Sequence, residues 1–161
     1  MAQLHRGRVT AAPADPFVVF IIGMRINSLV RVGKWWPVMA AMPRMIRELE
    51  ARPELGFLGY QQWLGRTTIM LQYWASFEKL EAYAKAPEHA HLPAWRDFNR
   101  RARNTDAVGV WHETYLAQPG SYEAIYVNMP PTGLGRVAPL VPATGRRDAA
   151  RGRMTATAKD G

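Results

Sequence analysis

The residues best placed for chemistry lie in the alternating run VGVWHETYL at residues 108–116. Neighbouring residues of a strand point to opposite faces, so His112 and Glu113 cannot act together as one dyad. His112 shares its face with valines and a leucine, and burial among apolar groups disfavours the charged imidazolium. The pattern predicts a neutral catalytic base or ligand at His112, and the alternative is a core histidine bonded to a backbone carbonyl.

Glu113 lies between Trp111 and Tyr115 on the other face of the same predicted strand. A buried carboxylate needs a partner, because burying an unpaired charge is costly. Arg25, near the end of the first predicted strand, is the natural partner. A structural Arg25–Glu113 pair is the preferred interpretation, and a catalytic acid at Glu113 with Arg25 beside it is the alternative.

Two further histidines, His89 and His91, precede a predicted helix. Their spacing in a loop is poor for joint metal ligation without other ligands. His91 could reach a pocket mouth and act as a base or as an axial haem ligand, and Arg96 could bind a haem propionate or an acidic substrate. The alternative for His91 is a histidine that caps or solvates the start of the helix.

A third set consists of strand residues that combine aromatic rings with polar tips. Such side chains suit a pocket in which a cofactor-free oxygenase holds an electron-rich phenol, and they equally suit an ordinary core. The predicted pocket residues are Tyr73, Trp74, Trp111, Tyr126 and Asn128.

The composition excludes several kinds of site. The chain has 161 residues and no cysteine, which excludes disulfides, thiolate nucleophiles and cysteine-ligated metal. It contains no HExxH motif and no aspartate-rich loop, so no metal site is predicted.

The formal net charge of +8 raises the question of a nucleic-acid partner. Residues 1–135 carry 15 Lys and Arg against 11 Asp and Glu, and residues 136–161 carry 6 against 2, so half of the excess lies in the C-terminal segment. The arginines at residues 96–103 are typical of a solvated helix face, and no base-reading motif is present. We therefore expect no nucleic-acid partner.

The elements that must position these residues follow from hydrophobic periodicity. Strands are predicted at 17–26, 56–64, 67–74, 108–116 and 122–129, and helices at 36–49, from 76 onward, and from about 93 to 103. This order predicts an α+β fold of the ferredoxin-like, split βαβ kind with an antiparallel sheet. Both faces of the strands are apolar, and pairing of two copies into a dimeric α/β barrel would cover the second face.

The chain divides into a flexible N-terminal arm (1–16), a ferredoxin-like domain (17–135) and a basic, disordered tail (136–161). The apolar run at 17–24 is shorter than the roughly 20 residues that a membrane-spanning helix needs. No signal-peptide cleavage site follows that run, so a cytoplasmic location without membrane contact is expected.

Between residues 17 and 135 the chain contains the segments VVFIIGMRIN, WWPVMAAMPRMI, HLPAWRDFNR, GVWHETY and YEAIYVNMPPTGLG. These segments resemble a family of bacterial and fungal domains that is grouped with a fumagillin-pathway monooxygenase-like protein. More distantly, that family is grouped with antibiotic-biosynthesis monooxygenases. The resemblance implies a dimeric α/β barrel, in agreement with the order of elements.

The resemblance implies less about chemistry, since fold does not fix function. Relatives on this fold include cofactor-independent oxygenases, haem-binding enzymes and domains without known catalysis. The expected function is a monooxygenase-like oxidation of a hydrophobic secondary metabolite in a barrel pocket, either without a cofactor or with haem. The alternative is a non-catalytic homodimer that binds a small ligand or haem.

Overall fold

The computed structural model describes residues 4–89, 92, 96–98 and 105–155. The strands are β1 (His5–Ala11), β2 (Phe17–Ile26), β3 (Phe57–Trp63), β4 (Thr67–Trp74), β5 (Val108–Ala117), β6 (Tyr126–Met129) and β7 (Leu140–Pro142). The helices are α1 (Val32–Ala51), α2 (Phe77–Lys85) and α3 (Ala150–Thr155), with short 3-10 turns at Pro53–Leu55, Gly133–Arg136 and Gly145–Arg147. Within the described residues, no helix is both long and apolar enough to span a bilayer.

The main sheet has four antiparallel strands in the order β3-β4-β2-β5. With the connections β2-α1-β3 and β4-α2-β5, this is the split βαβ order of a ferredoxin-like fold. The predicted α+β class is confirmed, and the first predicted strand has the bounds that its β-branched, apolar run indicates. The predicted helix from about 93 to 103 lies largely outside the described residues, and residues 96–98 are helical.

Helix α1 crosses one face of this sheet and is continuous through Pro43. Ile46 and Leu49 of α1 are buried against Met70 and Trp74 of the sheet. Helix α2 closes the same core with Leu80 and Tyr83, and Ser76 caps its start by accepting a hydrogen bond from the backbone N–H of Lys79 at 3.3 Å. This helical face carries the even-numbered residues of β2.

The opposite face of the sheet is covered at one end by a small three-stranded sheet of order β6-β1-β7. Phe17 and Tyr73 of the main sheet pack there against Ala11, Leu134 and neighbouring residues of the small sheet. The rest of this face is open along β3 and β5. Its exposed aromatic side chains are Trp63, Trp111 and Tyr115.

The described residues near both ends of the chain form regular structure, whereas the sequence predicts a flexible arm and a disordered tail. Residues 5–11 form β1, which pairs with β6 and β7 of the C-terminal half. An ion pair between Arg8 and Asp148 and a second between Arg153 and Glu123, at 2.7 Å, fasten the region around α3. The strands that pair with β1 lie more than 100 residues away in the chain, so local sequence patterns do not reveal this small sheet.

Candidate functional site

A cavity of about 780 Å³ lies between α1, the helical face of the main sheet and the segment that follows α2. This volume falls within the usual range of small-molecule pockets, about 300–1,000 Å³. Its wall is mainly apolar, and methionines contribute from both helix and sheet: Met24, Met39, Met42, Met45 and Met70. Unbranched thioether side chains adapt to irregular ligands, so this wall suits a hydrophobic molecule.

A small number of polar side chains interrupt the apolar wall. Arg44 and Glu48 come from α1, and Gln62, Thr68 and His112 come from the sheet. The segment after α2 adds three more: Glu88, His89 and Asp97. The cavity therefore has an apolar body with polar groups that could orient a substrate.

One polar group in this wall is an imidazole–carboxylate pair. Nδ1 of His89 lies 3.0 Å from Oε1 of Glu48, and the hydroxyl of Tyr83 donates to Oε2 of the same carboxylate at 3.1 Å. His89 is buried and its ring stacks on that of Tyr83, with 5.2 Å between ring centroids. Burial first, and then the Glu48 charge, raises the pKa of Tyr83 well above its ordinary value, so the phenol stays protonated.

His112 lines the cavity. The alternation predicts that it also lies in an apolar core, and the structure does not place it there. It is exposed, because β5 is an edge strand of the sheet. Its described ring contact is with Phe20, at a centroid distance of 5.5 Å. The expectation of a desolvated, buried histidine is therefore wrong, although the side chain does reach the cavity.

The predicted Arg25–Glu113 pair does not form. In the β2–β5 register Arg25 is opposite Gly109, and Glu113 is opposite Ile21. The two charged residues are thus four positions apart, about 13 Å along the strands. Arg25 donates to Oγ1 of Thr67 at 3.1 Å.

Glu113 is exposed and accepts a 2.5 Å hydrogen bond from the hydroxyl of Tyr115. This bond raises the pKa of the Tyr115 phenol. The pair lies on the open face of the sheet, which the cavity under α1 does not include. Glu113 and His112 therefore lie on opposite faces of the main sheet, as strand alternation predicts.

The predicted aromatic pocket residues are dispersed in the structure. Trp74 belongs to the core under α1 and α2, and its indole N–H donates to Oε1 of Gln72 at 3.0 Å. Tyr73 and Tyr126 belong to the core under the small sheet. Burial raises the pKa of Tyr73 far above its ordinary value, and the Tyr126 hydroxyl accepts a hydrogen bond from the backbone N–H of Gly135 at 3.0 Å.

The remaining two predicted pocket residues differ from each other. Trp111 borders the cavity, and its indole lies across Gly23 on the open side of the sheet. Asn128 lies in β6 in a left-handed conformation (φ 52°), and its side-chain oxygen accepts from the backbone N–H of Gly7 at 2.9 Å. Asn128 thus fixes the β1–β6 pairing, whose register is irregular at this point.

The two predicted cofactor contacts are His91 and Arg96. His91 lies outside the described residues. Arg96 is exposed and does not line the cavity. In the described part of the chain, no cluster of three or more His, Cys, Asp or Glu side chains could hold a metal ion.

The hydrogen-bonded group at the cavity wall that the sequence did not predict consists of Glu48 and Tyr83 with His89, which the sequence analysis ranked behind His91. A signal for Glu48 was present, because it follows Met45 by three positions and so lies on the apolar face of α1. No local signal indicates that His89, 41 positions later, would reach that carboxylate.

Comparison with solved structures defines the class of fold. Aldoxime dehydratase in complex with butyraldoxime superposes with a TM-score of 0.66 at 18% identity, covering 86% of this chain and 44% of that chain. A second aldoxime dehydratase structure gives a TM-score of 0.65 at 20% identity, covering 89% of this chain and 45% of that chain. At this identity the likeness shows a shared fold.

Comparison of sequences then identifies the family. Residues 17–134 match the family described as Monooxygenase af470-like, and the chain belongs to that family. Monooxygenase af470 of Aspergillus fumigatus is 29% identical over 159 residues, covering 84% of this chain and 56% of that protein. The chain thus spans about half the length of these relatives. The resemblance inferred from the sequence segments is confirmed.

Proposed function

We propose that the protein is a monooxygenase-like enzyme that oxidises a hydrophobic small molecule in the cavity under α1. The observation that carries this proposal is the cavity itself, with about 780 Å³ of mainly apolar space and a few convergent polar groups. Membership of the Monooxygenase af470-like family supports the reaction class. In this proposal His112, on the edge strand, is a polar contact for the substrate.

We further propose a homodimer that covers the open face of the main sheet. Trp63 and Tyr115 on this face are 47% and 53% exposed, and large aromatic side chains are favoured at the centre of interfaces. Packing this face against a second copy would remove their apolar area from water. Arg25 and Glu113 would then lie between the two sheets.

The alternative to a cofactor-free reaction is a haem group bound in the cavity. Haem iron in proteins is commonly held by an imidazole nitrogen, and the wall contains the imidazoles of His89 and His112. Arg44 of the same wall could pair with a propionate. The sequence adds His91 and Arg96 as candidates for the same two roles. In this arrangement the chain's residues would hold the group, and haem would supply the redox chemistry.

The test combines a metabolite screen under oxygen with a variant that fills the cavity. Ala41 lines the cavity, whereas Ala51 is exposed at the end of the same helix, so Ala41→Trp and Ala51→Trp form a matched pair. We expect a hydrophobic substrate that gains one oxygen atom by mass spectrometry with the wild type and Ala51→Trp. Ala41→Trp should lose both binding and product.

Equal turnover in the two tryptophan variants would refute the cavity as the reaction site. Binding without any product would favour the non-catalytic ligand-binding alternative. A haemin titration followed by visible absorption decides the cofactor: a saturable Soret shift that His112→Ala or His91→Ala abolishes would identify an axial ligand. Full turnover in a folded His112→Gln variant would exclude a role for that side chain.

A further inference from the structure

We infer that His89, held by Glu48, is the proton acceptor of the cavity and that the ligand it serves carries an acidic hydroxyl, such as a phenol or an enol. This inference rests on the proposed function, because it assumes that the cavity binds a hydrophobic small molecule. It adds the substrate class and a residue that sequence reasoning set aside.

The first argument is the tautomer that Glu48 imposes on His89. An ionised carboxylate can only accept hydrogen bonds, so the Nδ1 atom that lies 3.0 Å from Oε1 of Glu48 must carry a proton. In a neutral imidazole the other nitrogen, Nε2, then has the lone pair. Since His89 lines the cavity, this lone pair is a basic group that the wall can offer to a ligand.

The second argument is the rigidity of the pair. Tyr83 donates to Oε2 of Glu48 at 3.1 Å, which leaves Oε1 directed to His89. The Tyr83 ring stacks on His89 and also packs against Trp74, with 5.7 Å between the Tyr83 and Trp74 centroids. A catalytic group held by packing and by a hydrogen-bonded partner already has its orientation, so the reaction does not include the entropic cost of ordering it.

The third argument is burial. His89 is 8% exposed, and Glu48 is partly buried, whereas His112 on the edge strand is exposed. Charge interactions are stronger away from water, so the Glu48 carboxylate 3.0 Å away acts more strongly on the His89 ring than it would on an exposed one. His112 has no such partner in the described part of the chain, apart from its ring contact with Phe20.

The proposed step is a single proton transfer. The O–H bond of the ligand breaks, and its proton forms an N–H bond at Nε2 of His89. The ligand keeps the electron pair as a phenolate or enolate, and the imidazolium forms an ion pair with Glu48. The step needs no oxidant, and it produces the electron-rich anion from which oxidation of a phenol proceeds more readily.

The test uses two variants of the pair and one histidine control. His89→Gln preserves an amide N–H that can still bond Glu48, and Glu48→Gln keeps an acceptor for Tyr83 while removing the charge. His5→Gln is the control, because His5 lies in β1, outside the cavity wall. Far-UV circular dichroism establishes that each variant is folded.

The first measurement is the tautomer of His89, read from long-range proton–nitrogen correlations of the imidazole rings in ¹⁵N-labelled protein. The resonances that His89→Gln removes should show a protonated Nδ1 and a bare Nε2 at neutral pH. Glu48→Gln should weaken this preference, and His5→Gln should leave it unchanged. A protonated Nε2 in the wild type would overturn the inference.

The second measurement uses 4-nitrophenol, whose anion absorbs in the visible range and whose neutral form does not. At a pH where the free probe is mostly neutral, the wild type and His5→Gln should produce a saturable visible band. In His89→Gln and Glu48→Gln the anionic fraction of bound probe should fall about tenfold or more, as expected for loss of a charge-assisted hydrogen bond.

The outcomes separate the inference from the proposed function. If 4-nitrophenol binds without ionising, or ionises equally in His89→Gln, the cavity still takes small molecules but His89 is not the acceptor. Loss of the visible band in His112→Gln alone would also overturn the inference, as would a haemin Soret shift that depends on His89. If hydrophobic phenols do not bind to the wild type at all, the proposed function fails together with the inference.

Discussion

Trp74 offers a sharp test of how the core behind the cavity is held together. It is 1% exposed, it does not line the cavity, and its indole N–H donates to Oε1 of Gln72 at 3.0 Å. Gln72 is itself buried, so Trp74→Phe would leave a buried carbonyl oxygen without a partner. An unsatisfied buried polar group costs about 1–3 kcal/mol, beyond the packing lost with the larger ring.

The expected effect can be expressed as a melting temperature. A loss of about 2 kcal/mol in a chain of this size lowers Tm by about 4–8 °C. The opposite single variant, Gln72→Leu, should cost a similar amount because it leaves the indole N–H unpaired. In the double variant both polar groups are gone, so its loss of stability should be smaller than the sum of the single losses by about 1 kcal/mol or more.

The assay is urea unfolding followed by far-UV circular dichroism, since substitution of a tryptophan changes the fluorescence signal. Trp36→Phe is the control, because Trp36 is exposed and its replacement should change stability by less than about 0.5 kcal/mol. Strict additivity of Trp74→Phe and Gln72→Leu would refute the reasoning, since it would mean that the hydrogen bond contributes nothing.

The other predictions concern the sheet and the start of α2. A Cβ at Gly23 would lie 2.3 Å from the indole nitrogen of Trp111, so Gly23→Ala should cost about 1–3 kcal/mol in thermal unfolding. The same change should be nearly neutral in a Trp111→Ala background, and an equal cost in both backgrounds would contradict the prediction. Ser76→Ala should cost about 1 kcal/mol, because it removes the side chain that caps α2, and an unchanged urea midpoint would disprove that role. The pKa of Glu78 is lowered by hydrogen bonds to its carboxylate from its own backbone and from Ser76. The ionised Glu78 therefore stabilises the fold at pH values above its unfolded pKa, and this contribution is lost as the pH falls through its folded pKa. Glu78→Gln should therefore flatten the decline of Tm in acid, and identical acid profiles would argue against it.

The sequence-level interpretation of the site succeeded where it depended on alternation and failed where it depended on register. His112 and Glu113 do lie on opposite faces, because that follows from strand geometry alone. The proposed partner of Glu113 was wrong because the offset between β2 and β5 puts Arg25 opposite Gly109. The exposure of His112 depends on the position of β5 at the sheet edge, which no property of the strand itself reveals.

The sequence by itself determined the class of fold. The apolar, β-branched run of β2 and the serine cap before α2 are local signals, and their order is compatible with a ferredoxin-like arrangement. These features depend on backbone preferences and on side-chain period, which act between residues close together in the chain.

The tertiary structure alone decided which residues meet. The strands β1 and β7 exist through pairing with each other across more than 100 residues, and the short segments carry too little pattern to predict this. Glu48 and His89 become a pair because α1 and the segment after α2 pack on the same face of the sheet. Such contacts follow from the packing of elements that are distant in the chain. The energy of that packing is distributed over many core residues, so the residue type at a single position does not predict the contact.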